Sequence, residues 1–428
     1  MEEMLPGFLK QVLFSLWNNP LLAHKIGSRI KELNQRLDDI HNESAKFNFI
    51  TNLGSMKPTN AELHSSAQKM TSEFNESDIV GEKIEKDTKE LVQVLITHEN
   101  HSIKVVSIVG MGGMGKTTLA QKIFKETTIQ EHFKMKIWLS ITQHFDDADL
   151  LRTAIKHAEG HHDERQEKSL LTRTLTNILS TGKFLLVMDD VWSENAWNDV
   201  LNVPIMNASH NQPGSRVLIT TRKEDLAQRM RASFHQHHVS PLDEEDAWSL
   251  LKKQLPPPSD QVDQLKDVGM KIIRKCGGLP LAIKVMGGML STKYQSEREW
   301  VAVLNNPAWS VAGLPKDLDN RLYLSYQDLS PQLKQCFLYC SLFPKGTSIW
   351  QHQVIPMWIS EGFIQPQPQE DDRLEEVATE CYRELITRNL IEPTPRASTT
   401  GYECTMHDVV RSFAEFMARE ESLVVVQR

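Results

Sequence analysis

Gly110-Met-Gly-Gly-Met-Gly115-Lys116-Thr117 is the stretch that decides the fold. It spells GxxxxGK followed by Thr. An apolar run, 105–109, leads into it, and an amphipathic pattern with Leu119, Ala120, Ile123 and Phe124 leads out. That context, strand before and helix after, is what a phosphate-binding loop requires. Glycines let the backbone curl until successive N–H groups point inward at phosphate oxygens. The following helix N-terminus adds its dipole. Lys116 is placed to reach β- and γ-phosphates, and the Thr117 hydroxyl to ligate Mg²⁺. A ligand-free strand-to-helix turn would give no reason for Lys-Thr at its end. The same run fits G-x-G-x-x-G through Gly110, Gly112 and Gly115, but a dinucleotide fold wants an acid at the end of the second strand. That strand ends Trp138-Leu-Ser-Ile141, so the dinucleotide reading falls.

Working outward, strand-like runs recur at 104–109, 135–141, 184–188 and 216–220, with a weaker one near 237–240, and helical patterns lie between them. The alternation predicts an α/β P-loop NTPase domain with a parallel five-stranded sheet over 79–240. The third run, Phe184-Leu-Leu-Val-Met188, ends in Asp189-Asp190. Asp189 at a strand's carboxyl end is placed to bind Mg²⁺ opposite Thr117, and Asp190 to orient or deprotonate a water. The fourth run ends Thr220-Thr221-Arg222. Arg222 there is either a γ-phosphate sensor or a surface ion-pair partner.

Past Pro241 the strands stop. Residues 241–315 read as an all-α helical domain, broken at Pro256-Pro257-Pro258 and Gly277-Gly278. Residues 316–428 read as helices plus one hairpin, 390–394 with 402–406, which suggests a winged-helix domain. Asp408 reads as the N-cap of a last helix, 409–420. At the other end, 5–17 carries an apolar stripe. The stretch 24–44 spaces Ile26, Ile30, Leu33, Leu37 and Ile40 as an a/d seam, so 1–45 reads as amphipathic helices or a short coiled coil. The polar, aperiodic 46–78 reads as a linker.

Composition narrows the class. The chain has 428 residues, with 40% hydrophobic and 24% charged residues and a net charge of −8. Such acidity disfavours a protein whose main task is wrapping nucleic acid or coating anionic lipid. The five cysteines form no CxxC pair, and no long uncharged apolar run is present, so a reducing, cytoplasmic setting is expected. The histidine clusters (His157, His161 and His162; His235, His237 and His238) read as loop residues rather than metal ligands. The helix expected at 373–388 carries Glu375, Glu376, Glu380 and Glu384, a poor match to DNA phosphates.

Taken together, these blocks resemble the NB-ARC module of plant coiled-coil NLR disease-resistance proteins, within the STAND class of P-loop NTPases. In chain order the resemblance rests on Ile79-Val-Gly-Glu82, the phosphate loop, 133–143 with Trp138, and 184–192 ending Val191-Trp192. It continues through 214–222, 242–251 with Ala247-Trp248, Gly277-Gly-Leu-Pro-Leu-Ala282, Cys336-Phe-Leu-Tyr-Cys-Ser-Leu-Phe-Pro344 and Met406-His407-Asp408-Val409. The resemblance implies a nucleotide switch holding ADP or ATP with Mg²⁺. Its nucleotide would touch Gly110, Gly112, Gly113, Met114, Gly115, Lys116, Thr117, Thr118 and Arg222, with Val80 and Pro280 flanking the adenine and His407 on the β-phosphate. Asp190 and Lys116 would serve catalysis, and Thr117 and Asp189 the metal. It further implies self-association in the ATP state and recognition of a pathogen effector or a host guard protein. The family's acidic motif and leucine-rich repeats have no counterpart in this sequence. Two rivals stand beside it, a cycling AAA+-type motor and a winged-helix DNA-binding regulator.

Overall fold

A computed structural model describes residues 79–97, 103–141, 145–163, 166–229, 233–256, 260–310, 320–365, 373–394 and 403–421. The helices expected within 1–45 and the linker 46–78 lie outside the described residues.

Five parallel strands form the sheet: β1 (Lys104–Val109), β2 (Met135–Ser140), β3 (Phe184–Val191), β4 (Arg216–Thr221) and β5 (Ser233–His238), in the order β2-β3-β4-β1-β5. Their near-continuous apolar runs have a physical reason, because both faces are covered. Along each strand the side chains alternate between two cores. Val105, Ile137, Leu139, Leu186, Met188, Val217 and Ile219 face Leu151, Leu171, Leu175 and Trp197. Val106, Ile108, Trp138, Leu185, Val187 and Leu218 face Leu91, Leu119, Ile123 and Phe133. The weak fifth strand begins earlier than expected, at Ser233, and pairs with β1 through His238. In such a sheet the ligand crevice lies outside the strands' carboxyl ends. Here those ends carry the phosphate loop after β1, Asp189-Asp190 closing β3, and Arg222 after β4.

The helices Glu244–Lys253, Lys266–Cys276, Pro280–Ser291 and Glu297–Leu304 follow. Their punctuation is local. The Asp243 side chain caps the first. Gly277 ends the second in the left-handed region at φ 60, which an L side chain resists. Pro280 opens the third, where its missing N–H costs nothing.

The winged-helix stretch holds helices Asn320–Gln327, Pro331–Cys340, Gln351–Ser360 and Leu374–Thr387 and the closing helix Asp408–Glu420. Its wing has three antiparallel strands rather than a lone hairpin: β6 (Ile349–Trp350), β7 (Glu392–Pro393) and β8 (Glu403–Thr405), ordered β6-β8-β7. β6 is too short to show a period in sequence.

The helical and winged-helix stretches share one apolar core, in which Trp248, Trp300, Leu281, Phe337, Trp358, Tyr382, Val410 and Phe413 are all buried. Met114, from the phosphate loop, is packed into that same core. Gly288 shows how close the two stretches lie, since a Cβ there would sit 2.5 Å from the Thr387 carbonyl oxygen and 2.6 Å from Arg388 Cα. No helix among the described residues is long and apolar enough to cross a membrane.

Candidate nucleotide site

The loop 110–115 curls as the sequence requires. Gly113 and Gly115 lie at φ 78 and φ 86, and the Gly110 N–H donates to the Thr221 carbonyl oxygen at 3.3 Å. Gly115 is the N-cap of the helix Lys116–Lys125 and, as glycine, brings no side chain to cap its first N–H groups. Lys116 is buried, and its Nζ donates to the Met111 carbonyl oxygen at 2.7 Å. Burial, and then the nearby Arg222 guanidinium, push the Lys116 ammonium down to about 8, against the pull of Asp190 and Asp189. A half-stranded cation beneath an uncapped helix end is an environment that an anion relieves. Thr118, next along the helix, is half-buried.

Thr117 and Asp189 meet as the sequence predicts. The Thr117 hydroxyl donates to Asp189 Oδ1 at 2.9 Å, and the Thr220 hydroxyl donates to the same oxygen at 2.5 Å. Asp189 Oδ2 is buried with no hydrogen-bond partner among the described residues. Burial first, then the Asp190 and Asp408 charges, raise Asp189 to about 6 although both hydroxyls oppose the rise. A buried carboxylate oxygen lacking a donor, beside a threonine hydroxyl, suits a hard divalent cation.

The Asp190 carboxylate, expected to serve a water, is engaged by side chains in this structure. Its backbone sits at φ 54, in a bulge where β3 slips against β4, with its N–H donating to Thr220 Oγ1 at 2.8 Å. Its Oδ2 accepts from the Trp192 indole at 2.9 Å and from Lys345 Nζ at 2.5 Å. Lys345 Nζ also lies 2.8 Å from Asp408 Oδ2. Burial opposes the charge on Asp190, but Lys345, hydrogen bonding with Asp408, and Arg222 outweigh it and hold the carboxyl at about 2. Asp408 goes the other way, raised by burial and by Asp190 despite Lys345.

Arg222 lies over the loop. Its guanidinium stacks on the Trp192 ring at 4.6 Å, its Nε is buried without a partner among the described residues, and a Cβ on Gly112 would meet its Cζ at 3.0 Å. Two further stretches close on the same glycines. Leu281 N–H donates to the Gly113 carbonyl oxygen at 3.2 Å, and a Cβ on Gly112 would meet Val409 Cγ2 at 2.6 Å. Sheet, helical and winged-helix residues therefore converge on one loop. Pro280, adjacent to Leu281, and Val80 are half-buried, and Val80 packs against the helical core.

His407 is the cap of the last helix, which corrects the assignment of that role to Asp408. The Val409 N–H donates to His407 Nδ1 at 3.1 Å, while Asp408 is the first helical residue and turns to Lys345. Burial lowers the His407 pKa, with Glu392 and Asp408 opposing and Arg222 and Lys284 assisting. The ring is thus neutral with Nδ1 accepting, so Nε2–H is its donor. Sequence reasoning missed Lys345, Thr220 and Val409. Lys345 directly follows the block ending at Pro344 and carried no motif of its own.

A family model for the NB-ARC domain matches residues 84–260, and one for the disease resistance protein winged helix domain matches residues 342–414. Curated relatives include disease resistance protein RGA2 of Solanum bulbocastanum, 31% identical over 91% of this chain and 39% of its own length. Another is disease resistance RPP13-like protein 4 of Arabidopsis thaliana, 30% identical over 94% of this chain and 47% of its own. The chain thus spans less than half the length of these relatives. Among solved structures, a STAND protein with a tetratricopeptide repeat sensor from Pyrococcus horikoshii superposes with TM-score 0.45 at 17% identity, over 80% of this chain and 43% of that one. The matched domains lie in the order that the residues above lay out, and the chain belongs to the NB-ARC disease-resistance protein family, carrying its nucleotide-binding domain and its winged-helix domain.

Proposed function

We propose that the chain is the ADP/ATP switch of a plant intracellular immune receptor, acting in the cytoplasm in defence against pathogens. The observation that carries this reading is the convergence on the phosphate loop. Leu281 from the helical stretch and Val409 from the winged helix both contact glycines that a phosphate chain would line. A diphosphate is the ligand such a closed arrangement favours. Lys116 and the helix N-terminus would hold the phosphates, Val80 and Pro280 would flank the adenine, and Nε2–H of His407 would face the β-phosphate. Thr117 and Asp189 would hold Mg²⁺, which when bound screens phosphate charge. A third phosphate would meet Arg222 and crowd Gly112 and Val409. A ligand moves such an equilibrium only by its differential affinity for the two arrangements, and this crowding supplies a difference. In the open arrangement the freed faces would support self-association, and a pathogen effector or host guard protein would bias the same equilibrium. Hydrolysis would be slow and would reset the switch, unlike the rapid cycle of a motor.

The test is the nucleotide released when the purified chain is denatured, followed by titrations of ADP and ATP on wild type and Asp408→Val. The reading expects ADP to co-purify, and Asp408→Val to weaken ADP more than ATP. No bound nucleotide and no measurable affinity for either would end it.

A further inference from the structure

The sequence assigns the hydrolytic role at this site to Asp190, and in this arrangement its carboxylate is already engaged. Oδ2 takes both the Trp192 indole N–H and the Lys345 ammonium. The ammonium comes from the winged helix, on the loop between the helix Pro331–Cys340 and β6, and is followed by Gly346 at φ 73. The same ammonium holds Asp408, which begins the last helix. Its charge also lies 5.5 Å from the Trp192 ring that Arg222 stacks upon. Two carboxylates from different parts of the chain thus share one cation, and Asp190 pays for its place with a left-handed backbone.

We propose that Lys345 is a positioning residue of the nucleotide site. While the winged helix is docked, Lys345 ties Asp190 to Asp408 and withholds it from water, and when the winged helix leaves, Asp190 is released to serve hydrolysis. The proposal rests on the switch reading above. In the hydrolytic step the water oxygen bonds to the γ-phosphorus as the bond to the β–γ bridging oxygen breaks. That electron pair stays on ADP, and the water's proton passes to Asp190. A carboxylate already accepting from an ammonium and an indole is a poor acceptor for that proton. Opening must therefore precede hydrolysis, and removing Lys345 must uncouple the two.

Single-turnover hydrolysis of Mg-ATP by the 428-residue chain tests this. Lys345→Met keeps an unbranched side chain of similar length and removes the charge. It is expected to raise the rate constant by roughly tenfold, a modest share of what a positioned general base contributes. Lys345→Arg should stay near the wild-type rate, because a cation again spans both carboxylates. Adding Asp190→Asn to Lys345→Met should erase the gain. A rate for Lys345→Met equal to or below wild type, or a gain that survives Asp190→Asn, overturns the proposal. ATP and ADP affinities on the same preparations separate the two levels. A wild type that binds neither sinks the switch reading, whereas binding with an unchanged rate sinks Lys345 alone. Should Lys345→Met fail to fold, Lys345→Gln removes the same charge with a polar end, and a rate for it equal to or below wild type again overturns the proposal.

Discussion

Between the helices Pro280–Ser291 and Leu374–Thr387 the chain brings backbone onto backbone at Gly288 and buries a continuous apolar core around it. Between the winged helix and the sheet it sets glycines, Val409 and a Lys345 ion pair instead. The first junction also has polar contacts, with Lys284 on Glu392 at 2.7 Å and Asn389 donating to the Lys284 carbonyl oxygen at 3.0 Å, but these rim an apolar body. The difference is instructive. Opening an apolar junction exposes surface at about 25 cal/mol per Å², a cost a bound phosphate does not offset. On the proposed switch reading, a junction of charges beside the phosphate loop would respond to one added phosphate, and the chain would hinge between the sheet and everything after it, with the helical and winged-helix stretches moving as a pair.

The sharpest way to break that contrast is through the loop. Lys116→Arg should cut ADP and ATP affinity on the order of tenfold to a hundredfold, the worth of a charge-assisted bond to phosphate, because a planar fork does not replace a point charge. Thermal stability should barely move. Isothermal titration beside a melting curve checks this, and unchanged affinity removes the phosphate-loop assignment.

At the apolar junction the effects should be reversed. Gly288→Val forces side-chain atoms onto the Thr387–Arg388 backbone and should cost about 1–3 kcal/mol of stability by overpacking. The same variant should bind nucleotide nearly as well as wild type at a temperature where it remains folded. If it loses nucleotide as severely as Lys116→Arg, the two junctions are not separable.

The charges of the site predict smaller, pH-dependent effects. Asp189 is raised to about 6, so below pH 6 it is mostly neutral and a metal must displace a proton. Mg²⁺ dependence of nucleotide binding should weaken as pH falls through 6, by at most about tenfold per unit. Lys116 is lowered to about 8, and a bound phosphate raises it again by favouring the cation. Binding then takes up a proton, and affinity should fall as pH rises through 8. Titrations from pH 5 to 9 check both slopes, and Asp189→Asn should remove the lower one.

Much of this architecture was legible because its signals are local. The loop glycines, Lys116 and Thr117 are contiguous, and Asp189-Asp190 end an apolar run, so strand, loop and helix could be read directly. The tandem of helical and winged-helix stretches followed from the loss of strand patterning after Pro241. What stayed hidden is tertiary. Nothing near Lys345 shows that its ammonium meets Asp190 and Asp408. Asp is a common helix cap, so Asp408 was the natural choice, yet Lys345 draws it away and His407 takes the Val409 N–H. β6 is Ile349–Trp350, shorter than one alternation, and exists because β8 pairs with it.

The most direct test is a pair of distances, measured by pulsed electron spin resonance on labels at exposed positions. One pair joins Leu170 on the sheet's flanking helix to Met357 in the winged helix, and the other joins Tyr294 in the helical stretch to Met357. With Mg-ATP bound to Asp190→Asn, in which the account expects hydrolysis to be lost, it predicts that the Leu170–Met357 distance lengthens relative to ADP while Tyr294–Met357 stays fixed. Equal Leu170–Met357 distances in the two nucleotide states, or a Tyr294–Met357 change as large, would contradict it.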